Sequence, residues 1–378
     1  MSCPYVNICG GCSFRDIDYE EYCKFKEQNF LKTIEAINAC NYKISSPIFI
    51  GDGCRRRATF AFEYKKSQLT LGFNQKSSHQ ITDIDKCALL SPKINEVLPS
   101  LRRLLIDICQ SSWSEKKGKK LTKCSVSKGD IFVCQANNGL DVVLEYDCVL
   151  PLEHRMIISE YIYQIGDIIR ISHRRSAFSY AETIVEKEKP FVTMGKCNVF
   201  IPAGTFLQPS EEGQKALSDL VCKYLSDIKG EIADLFCGVG TFSYVLALQN
   251  GVNITSMDSS EALLKGFQDS LNKNQITNIK IQNKNLFKYS FDNDELKKFS
   301  AIVFDPPRAG AKLLCESLAK AYDKPNFVVA VSCNPSTFVN DANTLISGGY
   351  DLQEITLVDQ FAYSNHSELV AFFTKKDM

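Results

Sequence analysis

Three residues in the carboxyl half have the reactivity and the setting to act on a substrate. Cys333 follows the apolar run NFVVAVS, and Asn334-Pro335 stops that run at the sulfur. A thiol at the mouth of a sheet, unlike one inside a strand, is placed to be a nucleophile. Asp305-Pro306-Pro307 closes a second run, AIVF, where two prolines lock the backbone and the acid points outward. Glu368, in NHSELVAFF, opens a third run, where a carboxylate is costly unless it is used or paired. Thiol and carboxylate together read as covalent catalysis with a general base, and His366 reads as a residue that positions the segment. A second constellation lies at the other end: Cys3, Cys9 and Cys12, with Gly10-Gly11 permitting sharp turns. Cys87 in DIDKCALLS supplies a fourth thiolate, after a strand-like ITDI that can return to the first three. Four thiolates suit zinc or an iron–sulfur cluster, and spacing alone does not decide.

The elements that hold the first set alternate strand and helix. Pro209-Ser210 starts a helix over 211–226. Strands EIADLF, NITSMD, IKIQN, AIVFD and NFVVAVS follow, with helices TFSYVLALQ, EALLKGFQDSLNKN and KLLCESLAKAY between them. An antiparallel pair, YDLQEITLVDQF and SELVAFFTKK, ends the chain. This alternation predicts a doubly wound, largely parallel sheet. Ahead of it, ATFAFEYKKSQLTLGFNQ and SVSKGDIFVCQANNGLDVVLEYD read as hairpins and 101–109 and 154–165 as helices, an α+β segment. The first stretch joins the Cys-rich segment to a helix with apolar residues at Tyr22, Phe25, Phe30, Ile34 and Ile37.

The first strand of the sheet runs into DLFCGVGTFS, where Gly238 and Gly240 let the backbone pass close to a ligand. A dinucleotide fingerprint needs a third glycine, and position 243 is Ser. Asp258 ends the next strand, where an acid accepts hydrogen bonds from ribose hydroxyls, and Asn285 follows the third within reach of an adenine edge. A nucleoside without a pyrophosphate fits, and S-adenosylmethionine fits better than NAD. Methylating oxygen or nitrogen needs no thiol. Methylating C5 of a pyrimidine does, because that carbon is barely nucleophilic until a thiolate adds to C6. The surplus C5 proton must then leave, which gives Glu368 its task.

DLFCGVGTFS, DPPRAG, SCNPSTFVND and HSE-x-V, in this order, resemble the RNA 5-methyluridine methyltransferases, which modify uridines in tRNA and 23S rRNA. The resemblance implies Cys333 as nucleophile and Glu368 as proton acceptor. It also implies Gln208, Phe236, Asp258, Asn285 and Asp305 as S-adenosylmethionine contacts, with Gln208 and Asp305 near the uracil. The chain departs from the family at Gln208-Pro209-Ser210, which lacks the Asn of Q-x-N, and at Thr241, where Asn is common. DQFAYSNHSE also lacks a Pro-containing segment often found there. RNA cytosine-C5 methyltransferases carry a second cysteine where this chain has Arg308. CGGC near the start with a later C-A-L-L resembles the family branch that holds a [4Fe-4S] cluster, which implies Cys3, Cys9, Cys12 and Cys87 as its ligands, zinc being the alternative.

At 378 residues the chain is long enough for two or three domains. The reading is an α/β protein with three parts. Residues 1–45 form a Cys-rich iron–sulfur segment and helix, 46–185 an α+β middle domain that contacts RNA, and 186–378 a Rossmann-like class I S-adenosylmethionine methyltransferase domain. No small β-barrel RNA-binding domain is expected before Cys3. A formal net charge of zero excludes indiscriminate polyanion binding, yet Arg55-Arg56-Arg57, the run 115–123 and 173–175 allow a local phosphate track. Phe60, Phe62, Phe73 and Trp113 are expected beside it as surfaces for RNA. With 16 cysteines, no signal peptide and no membrane span, the chain is expected to be a cytoplasmic monomer. The expected function is methylation of uracil C5 in structured RNA, a 23S rRNA uridine before a tRNA one. The rival from another class is a metal-stabilised RNA-binding protein with an inactive methyltransferase domain.

Overall fold

A computed structural model describes residues 3–117 and 120–376, and the chain divides into two compact units. One comprises Ile17–Gly51, Thr193–Phe200 and the chain from Ser210 on; the other comprises the chain to Asp16, Asp52–Val192 and Ile201–Pro209. This division differs from boundaries at 45 and 185, because the first 45 residues are cut at Asp16. The reason is the apolar face of the helix Tyr19–Ile34. A short Cys/Gly-rich segment offers nothing to cover it, and Phe30, Ile34 and Ile37 instead join the core of Ala342, Leu345 and Tyr350. The strand Lys43–Phe49 then pairs in parallel with Tyr350–Asp359.

Among the described residues this unit contains an eight-stranded sheet. Its order is Lys43–Phe49, Tyr350–Asp359, Glu368–Lys375, Phe327–Ser332, Ala301–Phe304, Gly230–Leu235, Val252–Asp258, Ile279–Asn283. The five strands from Phe327–Ser332 to Ile279–Asn283 run parallel; the inner Phe327–Ser332 and Ala301–Phe304 are near-continuous apolar runs, as burial on both faces requires, and the edge strand Ile279–Asn283 is largely exposed. Glu368–Lys375 runs antiparallel to both its neighbours. The strand order reverses between Gly230–Leu235 and Ala301–Phe304, where doubly wound sheets open a crevice at their carboxyl edge. The helix Glu261–Asn274 matches expectation residue for residue, with Ser260 as its cap. Pro335–Ser347 is a helix the sequence reading did not assign. Asn334 caps it by accepting from the Ser336 amide at 3.2 Å, and Pro335 takes the first turn, where its missing N–H costs nothing.

In the other unit a seven-stranded sheet runs Glu182–Glu186, Ile168–Arg174, Gly139–Glu145, Lys128–Ala136, Arg57–Lys65, Gln68–Asn74, Ile81–Asp83, among the described residues. Both expected hairpins are present in register. The helices Pro92–Gln110 and Leu152–Gln164 bury Leu101, Leu105, Ile158 and Ile162 in the same core as Phe60, Phe62 and Trp113. Those three rings were expected to face RNA. Phe60 and Phe62 are buried because, with Ala58, they recur every second residue along one face of a strand and that face meets the helices; Trp113 is buried with its ring 5.1 Å from that of His154. Phe73 leans on Phe60 at 5.1 Å between centroids. Gly118 and Lys119, inside the basic run 115–123, lie outside the described residues. Among the described residues no helix is long and apolar enough to cross a membrane.

One turn sets the position of the first parallel strand's loop. Gly240 sits at φ +92°, and a Cβ there would stand 2.4 Å from the Phe267 ring. Gly240→Ala combines left-handed strain with overpacking, a loss of about 3 kcal/mol. The expected result is a clearly lower urea midpoint for the variant; an unchanged midpoint would contradict the assignment.

Candidate functional site

Cys333, Asp305 and Glu368 meet at the carboxyl edge of the large sheet. Register alone brings the thiol and Glu368 together. Ser332 pairs with Leu369 across antiparallel strands, so Cys333 lies opposite Glu368 as the chain leaves the sheet. Directly opposed residues have Cβ atoms about 5 Å apart and share a face. Asp305 follows Phe304, which pairs with Ala330 on the other side of the thiol's strand.

The electrostatics follow from this crowding. The Cys333 thiol is pushed up to about 11, first by burial and then by the negative charges of Glu368 and Asp305. Arg308 acts in the opposite direction. Its backbone is tied to the residues after the thiol: the Asn334 side-chain amide and the Thr337 hydroxyl both donate to the Arg308 carbonyl at 3.3 Å. Its guanidinium donates to His366 Nε2 at 2.8 Å. A guanidinium cannot accept, so that bond holds His366 as the neutral Nδ1–H tautomer. Glu368 is buried and accepts a hydrogen bond from the Gln360 side-chain amide. At the next turn Asp341 accepts from the Ala311 amide at 2.8 Å, fixing the end of the DPPRAG loop.

The residues expected around a nucleoside line the neighbouring strand ends. Phe236, at φ +59°, follows Gly230–Leu235 and lies 5.2 Å from the Phe287 ring. Asp258 ends its strand and accepts from the Gly238 amide at 3.0 Å and the Ser260 amide at 2.8 Å. Each carboxylate oxygen keeps a further lone pair for a ribose hydroxyl. Gly238 is at φ +55° with nothing within 4 Å of a Cβ position, so open space lies beside the loop where a ligand would pass. Asn285 is exposed, and its side-chain oxygen accepts from the Phe287 amide at 3.1 Å. These observations fit S-adenosylmethionine. Ser243, in place of a third glycine, is buried and donates to Asp234 while sharing a 2.7 Å hydrogen bond with Ser256. Burial pushes the Asp234 carboxyl up to about 7. Gln208 belongs to the other unit, where it is buried and its carbonyl accepts from Arg56 Nε at 2.9 Å.

Arg308, Gln360, Lys26 and Asp359 were not singled out as site residues by sequence. The Gln360 signal is a polar pair, Asp359-Gln360, ending an apolar strand. The Lys26 signal is a lysine inside the helical stripe Tyr22, Phe30, Ile34. In two of the basic clusters several charges have partners, and the side chains of 115–121 lie outside the described residues. Arg56 is buried against backbone, Arg174 pairs with Glu145 at 2.8 Å and Arg175 with Asp147 at 2.6 Å.

The four amino-terminal cysteine positions lie together in the other unit. Cys12 is pushed up to about 12, first by burial and then by Cys87, Cys9 and Cys3. Cys87 is raised by burial and by Cys3 and Cys9, while the Leu89 and Leu90 amides oppose the shift. The Gly11 amide donates to Cys9 Sγ at 3.3 Å. Gly10 cannot carry a side chain, since its Cβ would meet the Asn74 carbonyl at 2.8 Å. Among the described residues no group of three or more His, Cys, Asp or Glu side chains is placed to hold a metal ion. The four positions are thiols throughout.

Comparison with known proteins gives the following. The family model described as tRNA (Uracil-5-)-methyltransferase matches residues 187–376. The chain is 32% identical over 376 residues to an uncharacterized RNA methyltransferase of Brucella melitensis, covering 99% of this chain and 84% of that one. It is 26% identical to the 23S rRNA (uracil(1939)-C(5))-methyltransferase RlmD of Vibrio parahaemolyticus, covering 99% and 81%. In fold it is similar to the Pyrococcus abyssi tRNA (uracil-54, C5)-methyltransferase solved with S-adenosyl-L-homocysteine. That match has a TM-score of 0.72 and 22% identity, covering 97% of this chain and 86% of that one.

A thiol raised to about 11 carries little thiolate at neutral pH, and each pH unit below that value costs tenfold. Alkylation of Cys333 by iodoacetamide, read by mass spectrometry, is therefore expected to keep accelerating well above the ordinary 9.0. Arg308→Met is expected to slow it at fixed pH and Glu368→Gln to speed it. A plateau near 9 with no response to either substitution would contradict the electrostatic account.

Proposed function

We infer the finer points of function from the premise that the chain belongs to the tRNA (uracil-5-)-methyltransferase family and is an RNA (uracil-C5)-methyltransferase. The target proposed is a uridine of 23S rRNA. It is supported by relatives named as 23S rRNA uracil-C5 methyltransferases that align over 99% of this chain. The enzyme is proposed to act as a monomer in the cytoplasm.

The observation that carries the mechanism is the thiol opposed to a buried carboxylate, with a second acid one strand away. Phe236, Asp258, Asn285 and Asp305 are proposed to hold the cofactor. When bound, S-adenosylmethionine supplies an electrophilic methyl carbon. Cys333, once deprotonated, forms a bond from sulfur to uracil C6, and the C5–C6 electron pair moves into an enolate stabilised near Arg308. The cofactor held by those residues would supply the methyl carbon that C5 takes, its carbon–sulfonium bond breaking and that electron pair leaving on the thioether sulfur of S-adenosylhomocysteine. Glu368 takes the C5 proton, the electrons of that C–H bond restore the C5–C6 double bond, and sulfur leaves C6. Gln360, donating to Glu368, fixes the carboxylate proposed to accept the proton. A flipped-out base is required for this approach.

For the amino-terminal site a [4Fe-4S] cluster on Cys3, Cys9, Cys12 and Cys87 is proposed. It is supported by four mutually interacting thiols with backbone amides directed at sulfur.

With RNA containing 5-fluorouridine and S-adenosylmethionine, the enzyme is expected to form a denaturation-resistant adduct, because fluorine at C5 cannot leave as a proton. Cys333→Ala is expected to abolish it, and Glu368→Gln to accumulate an adduct on ordinary RNA. Absence of an adduct with the unaltered enzyme would sink the mechanism. Anaerobically purified protein is expected to be brown and to contain acid-labile sulfide, both lost in Cys12→Ser; a colourless zinc protein would refute the cluster.

A further inference from the structure

The helix Tyr19–Ile34 reaches the loop that precedes Glu368. Tyr22 and Lys26, one helical turn apart, are buried, as is Asp359 at the end of Tyr350–Asp359. Lys26 Nζ lies 3.1 Å from Asp359 Oδ1, donates to the Ser364 carbonyl at 3.1 Å and donates to the His366 carbonyl. Two carbonyls thus accept from the ammonium, and its charge is paired with the Asp359 carboxylate. The Tyr22 hydroxyl donates to Asp359 Oδ2, and its ring stacks on Tyr363, 4.7 Å between centroids. Tyr363 has φ +57°, a left-handed conformation that a tyrosine adopts only when its surroundings impose it. The loop 360–367 is thereby held at Asp359, Tyr363, Ser364 and His366. Its first residue, Gln360, bonds Glu368, and His366 bonds Arg308.

A buried lysine with a carboxylate is weak evidence for stability, because desolvation offsets most of the attraction. Two backbone carbonyls of one catalytic loop as its other partners suggest a different purpose. We propose that Lys26, with Tyr22 and Asp359, is a positioning cluster that fixes the loop 360–367 so that the Glu368 carboxylate is aligned to take the C5 proton. This inference rests on the reading of Glu368 as proton acceptor.

The test compares full-length wild type, Glu368→Gln and the double variant Lys26→Met/Asp359→Asn. The double variant removes both charges together, so no unpaired ion is left buried. Bulk RNA from a strain lacking the enzyme and 5-fluorouridine RNA are the probes, and thermal unfolding checks the fold. The double variant is expected to form the fluorouridine adduct at the wild-type rate, since that step needs no base. Its turnover on ordinary RNA is expected to fall between about 10- and 100-fold, with covalent adduct accumulating. Unchanged turnover would overturn the proposal. A fall in turnover without accumulated adduct, or with adduct formation falling in step, would overturn it too, since the cluster would then serve folding or an earlier step. Should Glu368→Gln fail to accumulate adduct, the base assignment itself falls, and that result is separate from the behaviour of the double variant. Tyr22→Phe, which keeps the ion pair, is expected to show the same signature more weakly.

Discussion

The carboxyl edge of the sheet confines a thiol and two carboxylates within one half-buried crevice, and that crowding dictates much of what surrounds it. Burial, and after it the charges of Glu368 and Asp305, disfavours the thiolate. Arg308 counters them, which explains why its carbonyl is bonded to the residues that follow the thiol and its side chain to His366. The crowding itself comes from topology. In a wholly parallel sheet, only strand ends gather at the carboxyl edge. Inserting Glu368–Lys375 in reverse brings the first residue of a strand to the same edge, opposite Cys333. One antiparallel strand thus adds a buried carboxylate to an edge that otherwise carries strand ends alone.

The amino-terminal part of the chain contributes to both units. Ile17–Gly51 supplies the helix that grips the loop 360–367 and an eighth strand. The preceding Cys-rich segment docks on strand ends of the other unit, with the Gly10 amide bonded to the Asn74 carbonyl at 2.8 Å. Two apolar cores are needed to place these few residues, and each closes on segments distant in sequence. Burial of polar groups inside them is selective. Lys26, Asp359, Gln360 and Glu368 are all nearly inaccessible, and each has a named partner.

Much of this was legible in the sequence, and physical reasons separate what was from what was not. The parallel strands announce themselves as short apolar runs, and Glu261–Asn274 carries a serine cap and an amphipathic stripe, so its limits could be read directly. Lys43–Phe49 could not. KISSPIF is short and polar, contains a proline and takes its partner from the far end of the chain. Phe60 and Phe62 were misplaced on the surface although their two-residue spacing with Ala58 marks one face of a strand. Aromatic type says nothing of which face a ring occupies, and the two-residue spacing does. Cys333 and Glu368 stand out in the sequence because each has an unusual setting for its type, and the register sets them opposite each other. Lys26 was not, because a lysine in a helix is ordinarily solvated and only tertiary partners reveal otherwise.

The central claim is that sulfur adds to C6 and a carboxylate then removes the proton at C5. Release of tritium to water from RNA carrying [5-³H]uridine measures that event directly. The account predicts tritium release that requires S-adenosylmethionine, matches methyl incorporation one for one and disappears in Cys333→Ser. Methyl incorporation without release of the C5 hydrogen, or undiminished release from the serine variant, would contradict it.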